Sequence, residues 1–296
     1  MILWICLIHL YPYHPIQCDT KDGDNDYFIR CLGSLKNCKI IVNRISQSRL
    51  AELSDLLPNI EFEVHDNTHA KMILIGPDKV YLSSQNFSIP NWFQHSVYIN
   101  DIDAYDAYLK ILNQYIESNS PNNINMSLHP EFDGGFDISS NDSGRYSPDY
   151  SGITLSNIKG KYAYSVNWNQ KVNSVSDRDF YICTQTLPDK SYIVTILKKL
   201  FENGNRVKII ANSVSETKLL ELQRVYPQLS YSVFDNMHAK IVMYSAENQG
   251  GPSTVWLSSQ NFGSSGWFEN LIMLKSNEAF EYYLHTLEKY TGESIR

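Results

Sequence analysis

The chain reads Asp66-Asn67-Thr68-His69-Ala70-Lys71, then an apolar run, then Ser83-Ser84-Gln85-Asn86-Phe87. Further on it reads Asp235-Asn236-Met237-His238-Ala239-Lys240, a second apolar run, then Ser258-Ser259-Gln260-Asn261-Phe262. A single His-x-Lys carries almost no information. His-x-Lys followed by Ser-x-Asn, twice and in the same order, implies one site assembled from two halves of a repeated chain.

The repeat extends well beyond the motif. Moving 169 positions on, Lys39-Ile40-Ile41 falls on Lys208-Ile209-Ile210. In the same register Asn43 falls on Asn212, Ser46 on Ser215, Leu50 on Leu219, Leu53 on Leu222 and Pro58 on Pro227. After the motif lysine the second copy carries six extra residues around 246–253. The offset then becomes 175, and the Ser-Ser-Gln-Asn-Phe runs align, as do Trp92-Phe93 and Trp267-Phe268.

Within each copy the pattern alternates strand and helix. Residues 39–42 are a short β-branched run, a buried strand. Ser46 stands as an N-cap before a helix with Leu50, Leu53, Leu56 and Leu57 on one face. Residues 60–64 alternate with period two, 71–75 and 79–82 read as two more strands, and Pro77-Asp78 makes the turn between them. The extra residues of the second copy lengthen the corresponding hairpin. Helices over 104–116 and 278–290 close the copies. Upstream, 2–8 and 180–184 read as matching strands, followed by helices near 27–35 and 192–201. This is an α/β fold of two repeated α/β/α halves, 1–117 and 179–296, related by a pseudo-twofold axis. Residues 118–178 fall outside the repeat. Their Gly, Ser, Asp and Asn content reads as linker and irregular insertion, although 161–168 alternates like a strand.

Composition narrows the class. With 296 residues, 43% hydrophobic and 19% charged, the chain can bury a sizeable core. The net charge of −7 argues against a protein that coats nucleic acid, but is compatible with a local basic pocket. The five cysteines match no zinc spacing and read as reduced thiols of an intracellular protein, cytoplasmic or nuclear. Residues 1–10 are apolar, yet lack the positive start and small cleavage-site residues of a secretory leader. They are also too few to span a bilayer.

The chemistry follows from residue type and spacing. His69 and Lys71 are two apart, as are His238 and Lys240, so on a strand each pair faces the same space. Imidazole serves as nucleophile or general acid–base near neutral pH. Asn86 and Asn261 can donate to anionic oxygens, and Ser84 and Ser259 add hydroxyls. Two imidazoles, two ammoniums and two amides around one centre suit a phosphoryl group, with no metal required for charge. Gln94 and Glu269 align directly after Trp-Phe, the one polar asymmetry beside the motif. Asp66 and Asp235 precede the histidines equally in site or turn roles. Trp92 and Trp267 read as packing under the asparagine loop.

These residues resemble the phospholipase D superfamily, whose signature H-x-K-x4-D-x6-G-S-x-N occurs twice in most members. His69, Lys71, Ser84 and Asn86 stand at the family spacing. His238, Lys240, Ser259 and Asn261 match with the six-residue insertion. The family Asp is replaced by Gly76 and Ser245, and the Gly before Ser by Ser83 and Ser258. The tyrosyl-DNA phosphodiesterase branch also lacks that Asp, and pairs a Gln in its first half with a Glu in its second, as Gln94 and Glu269 are placed here. The resemblance implies a two-step phosphodiesterase needing no cofactor. His69 would be the nucleophile and His238 the acid–base, assisted by Lys71, Lys240, Asn86, Asn261 and Glu269. Ser84, Ser259 and Gln94 would bind substrate. It points first to nucleic acid, as a nuclease or DNA-end-processing enzyme acting as a monomer. A membrane lipid substrate, for a phospholipase or phosphatidyl transferase, is the second possibility. An inactive module that binds nucleic acid or protein is the third, and the intact pair of His-x-Lys motifs argues against it.

Overall fold

The structure is a computed structural model, and it describes residues 3–8, 38–43, 45–84, 92–118, 131–142, 150–246, 250–263 and 265–296. The helix expected near 27–35 lies outside these residues. In chain order the first part runs β1 (Leu3–Ile8), β2 (Cys38–Asn43), α1 (Gln47–Leu56), β3 (Ile60–Val64), β4 (Met72–Ile75), β5 (Lys79–Ser83), β6 (Phe93–Asn100) and α2 (Ile102–Ser118). Next come β7 (Glu131–Asp142), β8 (Tyr150–Ala163) and a single turn of helix, α3 (Trp168–Lys171). The last part runs β9 (Asp179–Thr184), α4 (Lys190–Glu202), β10 (Arg206–Ala211), α5 (Glu216–Val225), β11 (Ser230–Val233), β12 (Ile241–Tyr244), β13 (Thr254–Ser258), β14 (Leu271–Lys275) and α6 (Asn277–Thr291).

The strands form one 14-stranded sheet in the order β11-β10-β9-β12-β13-β14-β8-β7-β6-β5-β4-β1-β2-β3. The outer three strands at each end run parallel, and the inner ones antiparallel. Consecutive Ile40 and Ile41 are both fully buried, as are Ile209 and Ile210. Successive strand residues face opposite sides, so both faces of the sheet are covered. On one face α2 and α6 bring Tyr108, Ile111, Tyr115, Tyr283 and Leu287 into a core shared with Ile41, Leu74, Val97, Ile210 and Leu274. On the other, α4 and α5 set Ile193, Ile196, Leu219 and Leu222 against Ile182, Ile209 and Trp256. The fold is therefore mixed α/β, with the largest core running under both copies of the motif.

Local chemistry sets the helix ends. Ser46 caps α1 by accepting the Arg49 N–H, and Ser276 caps α6 by accepting the Ala279 N–H. Gly292 ends α6 at φ 69°, a left-handed conformation glycine adopts without a side-chain clash. Leu56, expected on the buried face of α1, is 51% exposed; Leu53 and Leu57 are buried and Leu50 is half-buried.

The interval expected as linker and irregular insertion is different. Residues 131–142 and 150–163 are two long strands, β7 and β8, at the centre of the sheet. Phe136 and Ile138 are buried around exposed Asp137, and Leu155 and Ile158 are buried opposite. Their alternation is interrupted by a register shift between Gly134 and Phe136, which hides it within a Gly- and Ser-rich composition. Of the cysteines, Cys38 and Cys183 are free and buried, and burial pushes the Cys38 thiol up to about 11. Among the described residues no helix is long and apolar enough to cross a membrane.

Candidate active site

Backbone contacts between the two halves place the motifs. Thr68 bridges Phe268, and Met237 bridges Phe93. His69 N–H donates to the Phe268 carbonyl at 2.7 Å, and His238 N–H donates to the Phe93 carbonyl at 3.2 Å. Asn43, ending β2, donates from Nδ2 to the Thr68 carbonyl at 2.7 Å. Asn212, just past β10, donates to the Asp235 and Met237 carbonyls at 2.7 and 3.2 Å. The repeat matches these asparagines, but nothing in their sequence spacing tied them to the histidines. Asp66 and Asp235 lie in exposed turns.

Side chains then cross between the halves. Glu269 Oε2 accepts from His69 Nδ1 at 2.8 Å and from Ser259 Oγ at 2.5 Å, while its Oε1 accepts from Ser265 Oγ at 3.0 Å. Gln94 Oε1 lies 2.9 Å from His238 Nδ1 and accepts from Ser84 Oγ at 2.8 Å. A carboxylate oxygen accepts only, so His69 carries its proton on Nδ1 and a lone pair on Nε2. The same logic puts the Nδ1 proton of His238 against the Gln94 amide oxygen. Each imidazole is thus oriented by the half to which it does not belong. Ser84 and Ser259, expected to touch substrate, donate their hydroxyls to Gln94 and Glu269 instead. Gln94 is 1% exposed, behind His238 rather than beside a substrate.

Lys71 and Lys240 are 0% and 2% exposed. Lys71 Nζ donates to the His69 carbonyl at 2.9 Å and reaches His69 Nε2 at 3.3 Å. Lys240 Nζ donates to the His238 carbonyl at 2.7 Å and lies 3.1 and 3.3 Å from Nδ1 and Nε2 of the ring. Concentrated, buried positive charge shapes every titration here. Burial, with the neighbouring Lys71 charge, holds the Lys240 ammonium well below its ordinary range. Burial and Lys240 lower His238, and burial and Lys71 lower His69 although Glu269 opposes them. Burial disfavours the Glu269 carboxylate, yet His69, Lys71 and Ser259 outweigh it and hold the group below the usual range. An anion between the lysines would reverse the sign of these effects. Orthovanadate binding at neutral pH is therefore expected to take up protons, with affinity falling as pH rises. Calorimetry in two buffers of different ionisation enthalpy reads the uptake directly; equal enthalpies would contradict it.

Behind the lysines, two residues not expected from the sequence tie the motif strands together. Asn270 Oδ1 accepts the Lys71 N–H at 2.5 Å, and its Nδ2 donates to the Ser83 carbonyl at 3.4 Å. His95, which aligns with Asn270, sets Nε2 3.0 Å from the Ser258 carbonyl and 3.3 Å from the Ser258 N–H. Burial above all pushes His95 down to about 3, so it stays neutral as a strut. Their position directly after Gln94 and Glu269 was the available clue. Asn261 Oδ1 accepts from Thr184 Oγ1 at 3.3 Å and Thr186 N–H at 3.4 Å, which turns its NH₂ end away from these contacts. Asn86 lies outside the described residues. Trp92 packs on His238, with ring centroids 4.8 Å apart and planes 31° apart; Trp267 meets His69 at 5.7 Å and 70°. Both rings adjoin imidazoles rather than simply packing under a loop. Among the described residues no group of three or more His, Cys, Asp or Glu side chains is arranged to hold a metal ion.

No family model and no curated protein matches the sequence. Solved structures do match. Polyphosphate kinase from Porphyromonas gingivalis is similar over 98% of this chain, with TM-score 0.55 and 12% identity. Phosphatidylserine synthase from Haemophilus influenzae Rd KW20 is similar over 98%, with TM-score 0.55 and 15% identity. The chain spans 45% of the length of the first and 80% of the second. At these identities the likeness shows a shared mixed α/β fold and nothing beyond it.

Proposed function

We propose that this protein is a phosphodiesterase that works through a phosphohistidine, with His69 as nucleophile and His238 as acid–base. The observation that carries the proposal is the crossed pair of contacts, His69 to Glu269 and His238 to Gln94, around two buried lysines. In the first step the His69 Nε2 lone pair attacks phosphorus, and the bond to the leaving oxygen breaks as His238 Nε2 gives that oxygen a proton. Phosphorylation leaves a positive imidazole on His69, and the Glu269 carboxylate opposite Nδ1 stabilises it. In the second step neutral His238 takes a proton from water, the new oxygen–phosphorus bond forms, and the phosphorus–nitrogen bond breaks. Lys71, Lys240 and the Asn261 NH₂ group supply positive charge and donors to the phosphoryl oxygens, with Asn86 assigned the matching role. A phosphate anion between the lysines favours their charged forms, which supports turnover without a metal ion.

The palindromic strand order and the matched bridges Thr68–Phe268 and Phe93–Met237 support a duplicated unit with a pseudo-twofold axis. On that reading 1–117 and 179–296 are the two halves, β7 and β8 join them edge to edge, and the chain acts as a monomer. For substrate, the missing family Asp and the Gln94/Glu269 asymmetry support nucleic acid, in the manner of tyrosyl-DNA phosphodiesterase. The likeness to a phosphatidylserine synthase supports a second reading, a phosphatidyl group. Incubation in EDTA with single-stranded, double-stranded and 3′-tyrosyl oligonucleotides, and in parallel with phosphatidylcholine vesicles, separates them. Cleavage of an oligonucleotide is the expected result. Release of choline or phosphatidic acid alone would move the assignment to lipid, and loss of all activity in EDTA would contradict the metal-free mechanism.

A further inference from the structure

The two imidazoles differ in what balances their positive charge. His69 faces the Glu269 carboxylate, whereas His238 faces the neutral Gln94 amide. The charged and titratable groups that act on His238 are Lys240 on its own segment, Lys71 and His69 from the other motif, and His95 from β6; all of them oppose its protonation. The group placed to favour it is Trp92, whose indole faces the imidazole with ring centroids 4.8 Å apart and planes tilted by 31°. An indole face is electron-rich and attracts a cation lying over it. Trp267, its counterpart in the repeat, meets His69 at 70° rather than lying along it.

We propose that Trp92 is a positioning residue for His238: it fixes the plane of the imidazole and stabilises its charge while the proton destined for the leaving oxygen is held. This rests on the reading of His238 as general acid. It explains how a neutral amide suffices on that side of the site. The anion of the substrate draws the proton onto His238, Gln94 accepts its Nδ1–H, and Trp92 supports the resulting cation until Nε2 gives its proton away.

The test uses a series of aryl phosphodiesters whose leaving phenols run from p-nitrophenol, which needs no protonation, to p-methoxyphenol, which does. The ratio kcat/KM reads the first chemical step. Trp92→Leu should slow the p-methoxyphenyl ester by roughly tenfold and the p-nitrophenyl ester by no more than about twofold. Trp92→Phe should recover most of the loss. Site-specific tetrafluorotryptophan at position 92, which keeps the shape but weakens the electron-rich face, should give the same steepening and replaces Trp92→Leu should that variant fail to fold. A uniform slowing across the series, or no change, overturns the inference and leaves Trp92 as packing. His238→Ala is the control, and should steepen the dependence further. If it does not, the assignment of His238 as acid fails, independently of Trp92.

Discussion

Changing His69 to Ala is expected to abolish turnover, with a loss of roughly 10⁴-fold or more. Nothing else in the described site combines a lone pair with the same geometry. Nε2 of His69 is unprotonated because the ring keeps its proton on Nδ1, where it donates to Glu269, and Lys71 holds the ring from the site side at 3.3 Å. The ring is also the more open of the two, with a side chain 23% exposed against 5% overall for His238. His238→Ala is expected to behave differently. It should remain able to attack an activated p-nitrophenyl ester, whose leaving group needs no acid, and then stall because no base activates water. Steady-state rates with each variant, compared with a rapid-quench burst, distinguish the two roles. Equal, burst-free loss in both would contradict the division of labour.

Glu269→Gln is expected to lower kcat by up to about 10⁴-fold, the loss seen when an acid that orients a catalytic imidazole becomes an amide. The substitution keeps the shape, but removes the charge that balances a phosphorylated His69. It also offers Nδ1 an NH₂ donor, which would favour the wrong tautomer. Ser259 and Ser265, now donating to the carboxylate, lose a charged acceptor as well. Gln94→Ala should cost much less, about tenfold, because it deletes an orienting bond and no charge. The comparison is informative because the two residues occupy matched positions. Equal effects from the two would show that the asymmetry has no catalytic meaning. A melting curve for each variant separates loss of the site from loss of the fold.

How much of this was legible in the sequence depended on repetition. Two copies in register made His69, Lys71, His238 and Lys240 stand out, and placed β2 to β5 and β9 to within a residue or two, whereas β6 and β14 were not expected. The repeat also set Gln94 against Glu269. That each serves the histidine of the other half is a property of the crossing backbone at Thr68–Phe268 and Phe93–Met237, which no spacing encodes. Ser84 and Ser259 were misjudged for a related reason. A hydroxyl beside a motif asparagine is equally able to face substrate or the residue behind it, and here each one donates to the residue behind it. The central strands β7 and β8 were hidden because they occur once, carry a register shift, and draw on Gly, Ser and Asp, residues that elsewhere make turns. His95 was passed over because its counterpart is Asn270. Imidazole and carboxamide share the ability to bridge backbone groups, but a comparison of letters does not show it.

The proposed reaction requires a phosphoryl group carried by one particular imidazole. The direct measurement is to mix His238→Ala with a 5′-(p-nitrophenyl) nucleotide diester, quench in base, where phosphohistidine survives, and map the modified peptide by mass spectrometry. The predicted result is a nucleotidyl phosphate on His69, absent from the His69→Ala/His238→Ala double variant. An adduct on another residue, or none despite a burst of p-nitrophenol, would contradict it.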